Sequence, residues 1–138
     1  MSRNIRLQKT ISTIITVLEG FPEIVVASLY GSSLQERMRP SSDIDIGVAS
    51  TKALTFEKWS EVRLELCRAL KKEVDLVDLW QLEGRILLES ICHGKIIVMK
   101  TSHVLVYLMK KIIYFSADFE PLTKNLVQKR LERYFHVT

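Results

Sequence analysis

Cysteine, proline and glycine are all scarce in this chain, which has 2, 3 and 5 of them among 138 residues. Cys67 and Cys92 stand far outside any paired-cysteine spacing, so a zinc ribbon and a disulfide scaffold are excluded, and both read as reduced, buried thiols. Without a Gly/Ser/Pro-rich stretch, a repeat or a low-complexity block, no linker or domain boundary is visible, and residues 1–138 read as one domain. A domain of about this size buries roughly 70% of the surface of its unfolded chain. No apolar run approaches the roughly 18 residues of a membrane-spanning helix. The first ten residues lack the continuous apolar core of a secretion signal, so a cytoplasmic location and no membrane contact are expected. Charge of one sign is also in short supply: 20 Lys and Arg against 16 Asp and Glu leave a net +4. The basic residues that gather toward the end, Lys110-Lys111, Lys124, Lys129-Arg130 and Arg133, read as a solvated helix face ahead of a nucleic-acid or acidic-protein surface. His93, His103 and His136 have no ligand spacing, and His93-Gly94 reads as a helix end with Gly94 in a left-handed cap.

What is present in quantity is apolar periodicity, 47% of the chain being hydrophobic. Ile5, Ile11, Ile14, Ile15 and Leu18 recur at near-helical spacing before Gly20 and Pro22 stop the pattern. Residues 24–30, Ile-Val-Val-Ala-Ser-Leu-Tyr, form a β-branched run that reads as a buried strand, and residues 43–49 read as a second. From Thr55 to Lys71 a helical stripe of Phe56, Trp59, Val62, Leu66 and Leu70 reads as core. A strand at 74–79, a helix near 81–92, a short strand at 95–99 and one or two helices between about 103 and 135 complete the order. Met109, Ile112, Ile113 and Phe115 are expected to pack on the sheet, with Tyr107 and Tyr114 left as candidates for an interface. Strands interspersed with helices give an α/β (α+β) class: a small mixed β-sheet with helices packed against it.

The chemistry is concentrated between residues 29 and 48. Gly31 ends the first strand where backbone amides can approach an anion closely, and those N–H groups with the Ser32 hydroxyl suit phosphate oxygens. With ten residues between Ser32 and Asp43, Asp43 and Asp45 stand two apart in a strand, so their carboxylates share a face while Ile44 and Ile46 point to the core. Two carboxylates on one face repel unless a hard divalent cation lies between them, and Mg²⁺ takes carboxylate together with phosphate oxygens. Gly-Ser alone is a turn and Asp-x-Asp alone a solvated strand edge; their joint occurrence at this spacing favours a nucleotide site. Within Glu73-Val-Asp-Leu-Val-Asp-Leu79, Asp75 and Asp78 are three apart and fall on opposite strand faces, so only one can join the pair.

Gly31-Ser32, ten residues, Asp43-Ile-Asp45 and a later Val-Asp75-Leu-Val resemble the nucleotidyltransferase superfamily related to DNA polymerase β. Within it, the chain looks like a minimal nucleotidyltransferase of the kind paired with HEPN toxins, a resemblance that covers residues 24–79 well and the remainder in general character. It implies a polymerase β-like fold, with Asp43, Asp45 and Asp75 as the catalytic residues and the ligands of a two-ion Mg²⁺ site. It also implies Gly31, Ser32, Ser33 and Arg39 as the nucleotide-binding residues. An Arg-Pro pair before Ser-Asp belongs to the family pattern, which favours Arg39 over Arg37, both otherwise being ordinary loop cations. Asp78 reads as a strand end or a cap. Gln35 and Glu36 stand where family members often carry Arg-Gly, which removes one phosphate donor.

By this resemblance the chain moves AMP from ATP to a hydroxyl, a tyrosine of a HEPN toxin, and so silences it. A stoichiometric antitoxin that acts by binding is the alternative from a different class. Transfer to a small molecule such as an aminoglycoside is the alternative within the enzyme class, and no additional substrate-binding segment favours it.

Overall fold

In the computed structural model, the residues described are 3–31, 43–115, 129–130 and 132–133. The chain runs α1 (Arg3–Leu18), β1 (Ile24–Tyr30), β2 (Ile44–Ser50), α2 (Phe56–Leu70), β3 (Val74–Asp78), α3 (Gly84–Ile91), β4 (Lys95–Met99) and α4 (Ser102–Phe115). The sheet order is β3-β2-β1-β4. β1 is antiparallel to both β2 and β4, whereas β2 and β3 are parallel and joined through α2, as a parallel pair requires. The mixed α/β sheet expected from the periodicities is therefore the fold observed.

Helices cover both faces, and each face has its own apolar cluster. On one side Ile11, Ile14 and Leu18 of α1 and Val62 and Leu66 of α2 pack on Ile44, Ile46, Val48, Val74 and Leu76. On the other, Leu87 and Ile91 of α3 and Leu105, Leu108 and Met109 of α4 pack on Val26 and Ala49. That second cover is partial. Val26 and Ala49 are fully buried, but toward the start of β2 the same face leaves Asp45 half-buried and Asp43 and Asp75 exposed. The open end of this face is where the site lies.

β3 is an edge strand, and two side chains of α2 occupy its outward acceptors. Trp59 Nε1 donates to the Leu76 carbonyl at 2.8 Å and Arg63 Nε to the Val74 carbonyl at 3.1 Å, while Arg63 also pairs with Glu73 at 2.7 Å. These contacts blunt an edge that would otherwise invite strand pairing.

Several expectations change in detail. The helix near 81–92 starts at Gly84, because Leu79–Gln81 first makes a 3-10 turn capped by the Asp78 side chain. Phe56 leaves the core stripe: at the first turn of α2, just past the Thr55 cap, it is 76% exposed and stacks on Trp59 with centroids 5.8 Å apart. Cys67 is half-buried, whereas Cys92 is buried and its thiol is pushed up to about 11 by that burial. In α4 Met109 and Ile112 are buried, but Ile113, Tyr107 and Tyr114 are exposed. The Phe115 side chain and the pattern expected after it, through 128, lie outside the described residues.

Gly94 is the sharpest correction. It is not left-handed; among the described residues Gly31 and Gly84 are the glycines with positive φ. Gly94 is needed for space, since a Cβ would meet the Ser90 carbonyl, the Ser28 hydroxyl at 2.6 Å and the Leu29 carbonyl at 3.1 Å. Ser28 donates to the Ser90 carbonyl at the same point, so β1, α3 and the start of β4 meet there without room to shift. Gly94→Ala should cost about 1–3 kcal/mol, as overpacking against backbone does. Urea unfolding would measure it, and a loss below about 0.5 kcal/mol would mean that the junction yields more easily than its packing implies.

Candidate active site

Three strands bring one side chain each to a single row. In the antiparallel register Tyr30 of β1 lies opposite Asp45 of β2, and in the parallel register Asp45 lies beside Asp75 of β3. Opposed residues on neighbouring strands point to the same face, so the phenol and both carboxylates converge at the open end of the sheet. Asp43, just ahead of β2 and two residues from Asp45, completes the acidic group.

Electrostatics mark Asp45 as the centre of this row. Its proton affinity is raised, first by burial, then by the Asp75 charge and a side-chain hydrogen bond with Asp75, and finally by the Asp43 charge. Tyr30 is pushed up to about 12, again by burial first and by Asp45 and Asp75 after it. Among the described residues no Lys or Arg forms an ion pair with these carboxylates. Two like-charged carboxylates side by side without a nearby cation are the donor set a hard divalent ion takes, because its charge removes the repulsion. The row therefore fits Mg²⁺ in chemistry. Among the described residues, no three Asp, Glu, His or Cys side chains are gathered tightly enough to form a ready-made metal cluster; Asp45 and Asp75 are cross-strand neighbours, and Asp43 acts on Asp45 through its charge.

Gly31 belongs to the same site. Its φ is +69°, and a Cβ there would run into the Asp45 carboxylate. The absence of a side chain lets that carboxylate lie against the turn leaving β1, and glycine adopts the left-handed backbone without strain. Ser32, Ser33 and Arg39 lie outside the described residues.

Asp78 takes no part. It points to the other face, is 8% exposed, and accepts from the backbone N–H of Leu54 at 2.9 Å and of Trp80 at 3.0 Å. The alternation that separates it from Asp75 leaves Asp75 as the carboxylate beside Asp45. Tyr30 is the neighbour that sequence reasoning missed. At the end of a β-branched apolar strand it reads as core, and only the cross-strand register places it beside Asp45.

The fold and this row can be set beside known proteins. A family model described as polymerase beta, nucleotidyltransferase matches residues 12–103. The chain is similar to one in a crystal structure of a toxin–antitoxin with AMP-PNP, at 24% identity over 89% of this chain and 90% of that one, with a TM-score of 0.64. It is also similar to a chain in the complex of tri-AMPylated Shewanella oneidensis HEPN toxin with MNT antitoxin, at 23% identity over 92% and 91% of the two chains, TM-score 0.60. A chain of the toxin–antitoxin MntA-HepT is 23% identical over 94% and 87%, with a TM-score of 0.57. No curated protein sequence matches.

The raised proton affinity of Asp45 sets a pH dependence of stability. The folded carboxyl keeps its proton to a higher pH than the unfolded one, whose ordinary value is 3.8, so stability falls as pH rises through that interval and stays lowered above it. Asp45→Asn removes the penalty, and the variant should melt above the wild type at pH 7, by a margin that shrinks toward pH 3. A margin that is constant with pH, or reversed, would show that the Asp45–Asp75 contact carries no strain.

Proposed function

Because the chain belongs to the polymerase beta nucleotidyltransferase family, we propose that it is an antitoxin enzyme that transfers AMP from ATP to a hydroxyl, a tyrosine of a HEPN-type toxin, in the cytoplasm. The observation that carries this reading is the Asp45–Asp75 contact across the parallel β2–β3 register, with Gly31 seated against Asp45. The partner is supported by similar chains from toxin–antitoxin structures, one with AMP-PNP and one with a tri-AMPylated HEPN toxin.

Asp43, Asp45 and Asp75 would hold Mg²⁺, which when bound neutralises charge on the triphosphate and on the attacking and leaving oxygens. The chain's own residues do the rest. The turn at Gly31 with Ser32, Ser33 and Arg39 would fix the β- and γ-phosphates, leaving the α-phosphorus over the carboxylate row. The acceptor hydroxyl would approach from the Asp75 side, where an exposed carboxylate oxygen takes its proton as the new O–P bond forms. The bond from the α-phosphorus to the bridging oxygen breaks in line, and pyrophosphate leaves by the Gly31 turn. Positioning and charge, more than covalent chemistry, account for the rate in such a transfer.

Asn at position 43, 45 or 75 keeps the shape of the side chain and removes a charged ligand, so labelling of the toxin from ATP should fall by orders of magnitude with folding retained. Asp78→Asn should do the opposite: transfer persists in the folded protein, while stability drops by about 1–3 kcal/mol from the disturbed Leu54 and Trp80 bonds. Full transfer by Asp45→Asn, or its loss in folded Asp78→Asn, would overturn the assignment.

Catalysis and binding separate on stoichiometry. With ATP and Mg²⁺, a substoichiometric amount of the chain should silence an excess of toxin and add the mass of one or more AMP groups. An unmodified toxin inactivated only at equimolar ratio would identify a stoichiometric antitoxin instead, and AMP found on an aminoglycoside but not on the toxin would identify a small-molecule transferase.

A further inference from the structure

Asp75 stands on the least supported strand of the sheet. β3 is five residues long, lies at the edge and pairs with β2 in the parallel arrangement, the less stable per residue. Its backbone is nevertheless held on both sides. The Glu73 carbonyl accepts from the Ile44 N–H of β2 at 3.1 Å, whereas the carbonyls of Val74 and Leu76, immediately before and after Asp75, accept from α2: from Arg63 Nε at 3.1 Å and from Trp59 Nε1 at 2.8 Å. Arg63 Nη2 reaches on to the Glu73 carboxylate at 2.7 Å. One planar guanidinium thus grips two consecutive residues, and the first of them is bonded to Ile44, the residue between Asp43 and Asp45. Trp59 and Arg63 are four apart on one face of α2, and Val62 and Leu66 of that helix are fully buried, so the two donors are anchored in the core rather than in the strand they hold.

We propose that Trp59 and Arg63 are positioning residues for Asp75: by binding the carbonyls on either side of it, they hold β3 so that its carboxylate stays beside Asp45 for a divalent cation. The inference rests on the metal reading of that row. Folding stability gives little reason for the Arg63 contacts. The Arg63–Glu73 pair is open to solvent, with 35% and 73% of the two side chains exposed, and an ion pair so placed contributes little to folding. What the two side chains supply is direction, applied to the one short stretch of backbone that carries Asp75. Groups that orient metal ligands act through affinity, and their loss costs about ten- to a hundred-fold.

The experiment is a Mn²⁺ titration of the full chain without nucleotide, read by electron paramagnetic resonance of the free ion, on the wild type, Trp59→Phe, Arg63→Met and Asp75→Asn. Thermal unfolding and amide hydrogen exchange of each run in parallel. Trp59→Phe keeps a ring beside Phe56 and Arg63→Met keeps the aliphatic stem, so each removes donors while retaining most of the packing. Both should bind Mn²⁺ about ten-fold more weakly, with faster exchange at Asp75 and Val77 and unchanged exchange in β1. In label transfer, raising Mg²⁺ should restore their maximal rate, a shift in half-saturation that a merely structural role would not give. Asp75→Asn should abolish tight Mn²⁺ binding. Wild-type Mn²⁺ affinity in Trp59→Phe and Arg63→Met, with Asp75→Asn defective, would overturn this inference and leave the metal site standing. Weaker binding accompanied by faster exchange throughout β1 would also overturn it, as the mark of general destabilisation. A wild-type chain that binds no Mn²⁺ would overturn both readings.

Discussion

The parallel register between β2 and β3 sets a half-buried Asp45 beside an exposed Asp75, and no positive side chain among the described residues pairs with them. Left alone, that juxtaposition is unfavourable, since neighbouring carboxylates repel and burial of Asp45 adds to the cost of its charge. The surrounding structure imposes it. Ile44, Ile46, Val74 and Leu76 alternate with the acidic residues and are buried under α1 and α2, so neither strand can slip by one residue without turning its apolar side chains outward. The apolar half of each strand thus fixes the geometry of the acidic half.

The same economy governs the opposite face. α3 and α4 bury Val26, Ala49 and Leu79, and the Tyr30–Asp45–Asp75 end of the same face is left partly open to solvent. Residues without side chains make the close approaches: Gly31 against the Asp45 carboxylate, Gly47 beneath Leu79 and Tyr30, Gly94 against Ser28 and Ser90. Asp78 completes the division of labour. Three residues from Asp75, it faces the other way and ties β3 to the loop before α2 and to the turn after it. One short strand therefore supplies one carboxylate to the cleft and one to the scaffold.

Most of the element order was legible from periodicity, because the strands at 24–30 and 95–99 and the helix ending at Leu18 carry their own local signals. That Asp43 and Asp45 share a face, and that Asp75 and Asp78 do not, was legible from alternation within a strand, a local property; that Asp75 lies beside Asp45 depends on the parallel register, and only the family resemblance pointed to it. What could not be read is whatever depends on neighbours distant in the chain. Tyr30 belongs to the row only through its antiparallel partner. Phe56 fits the stripe of α2 by spacing, yet in the first turn of the helix it is left exposed, stacked on Trp59. Gly94 has the sequence signature of a left-handed cap, but its constraint is the approach of Ser28 and Ser90 from two other elements. The phosphate-facing expectations at Ser32, Ser33 and Arg39 fall outside the described residues, so Gly31 alone represents that half of the site.

The central claim is that this acidic row holds the cations for nucleotidyl transfer. Crystals grown with Mn²⁺ and a non-hydrolysable ATP analogue test it most directly, by anomalous diffraction at the manganese edge. The account predicts an anomalous peak within about 2–2.5 Å of carboxylate oxygens of Asp45 and Asp75, the distance at which a hard divalent cation binds oxygen, with the triphosphate running from it toward the Gly31 turn. A nucleotide bound elsewhere on the chain, or manganese density away from Asp45 and Asp75, would contradict it.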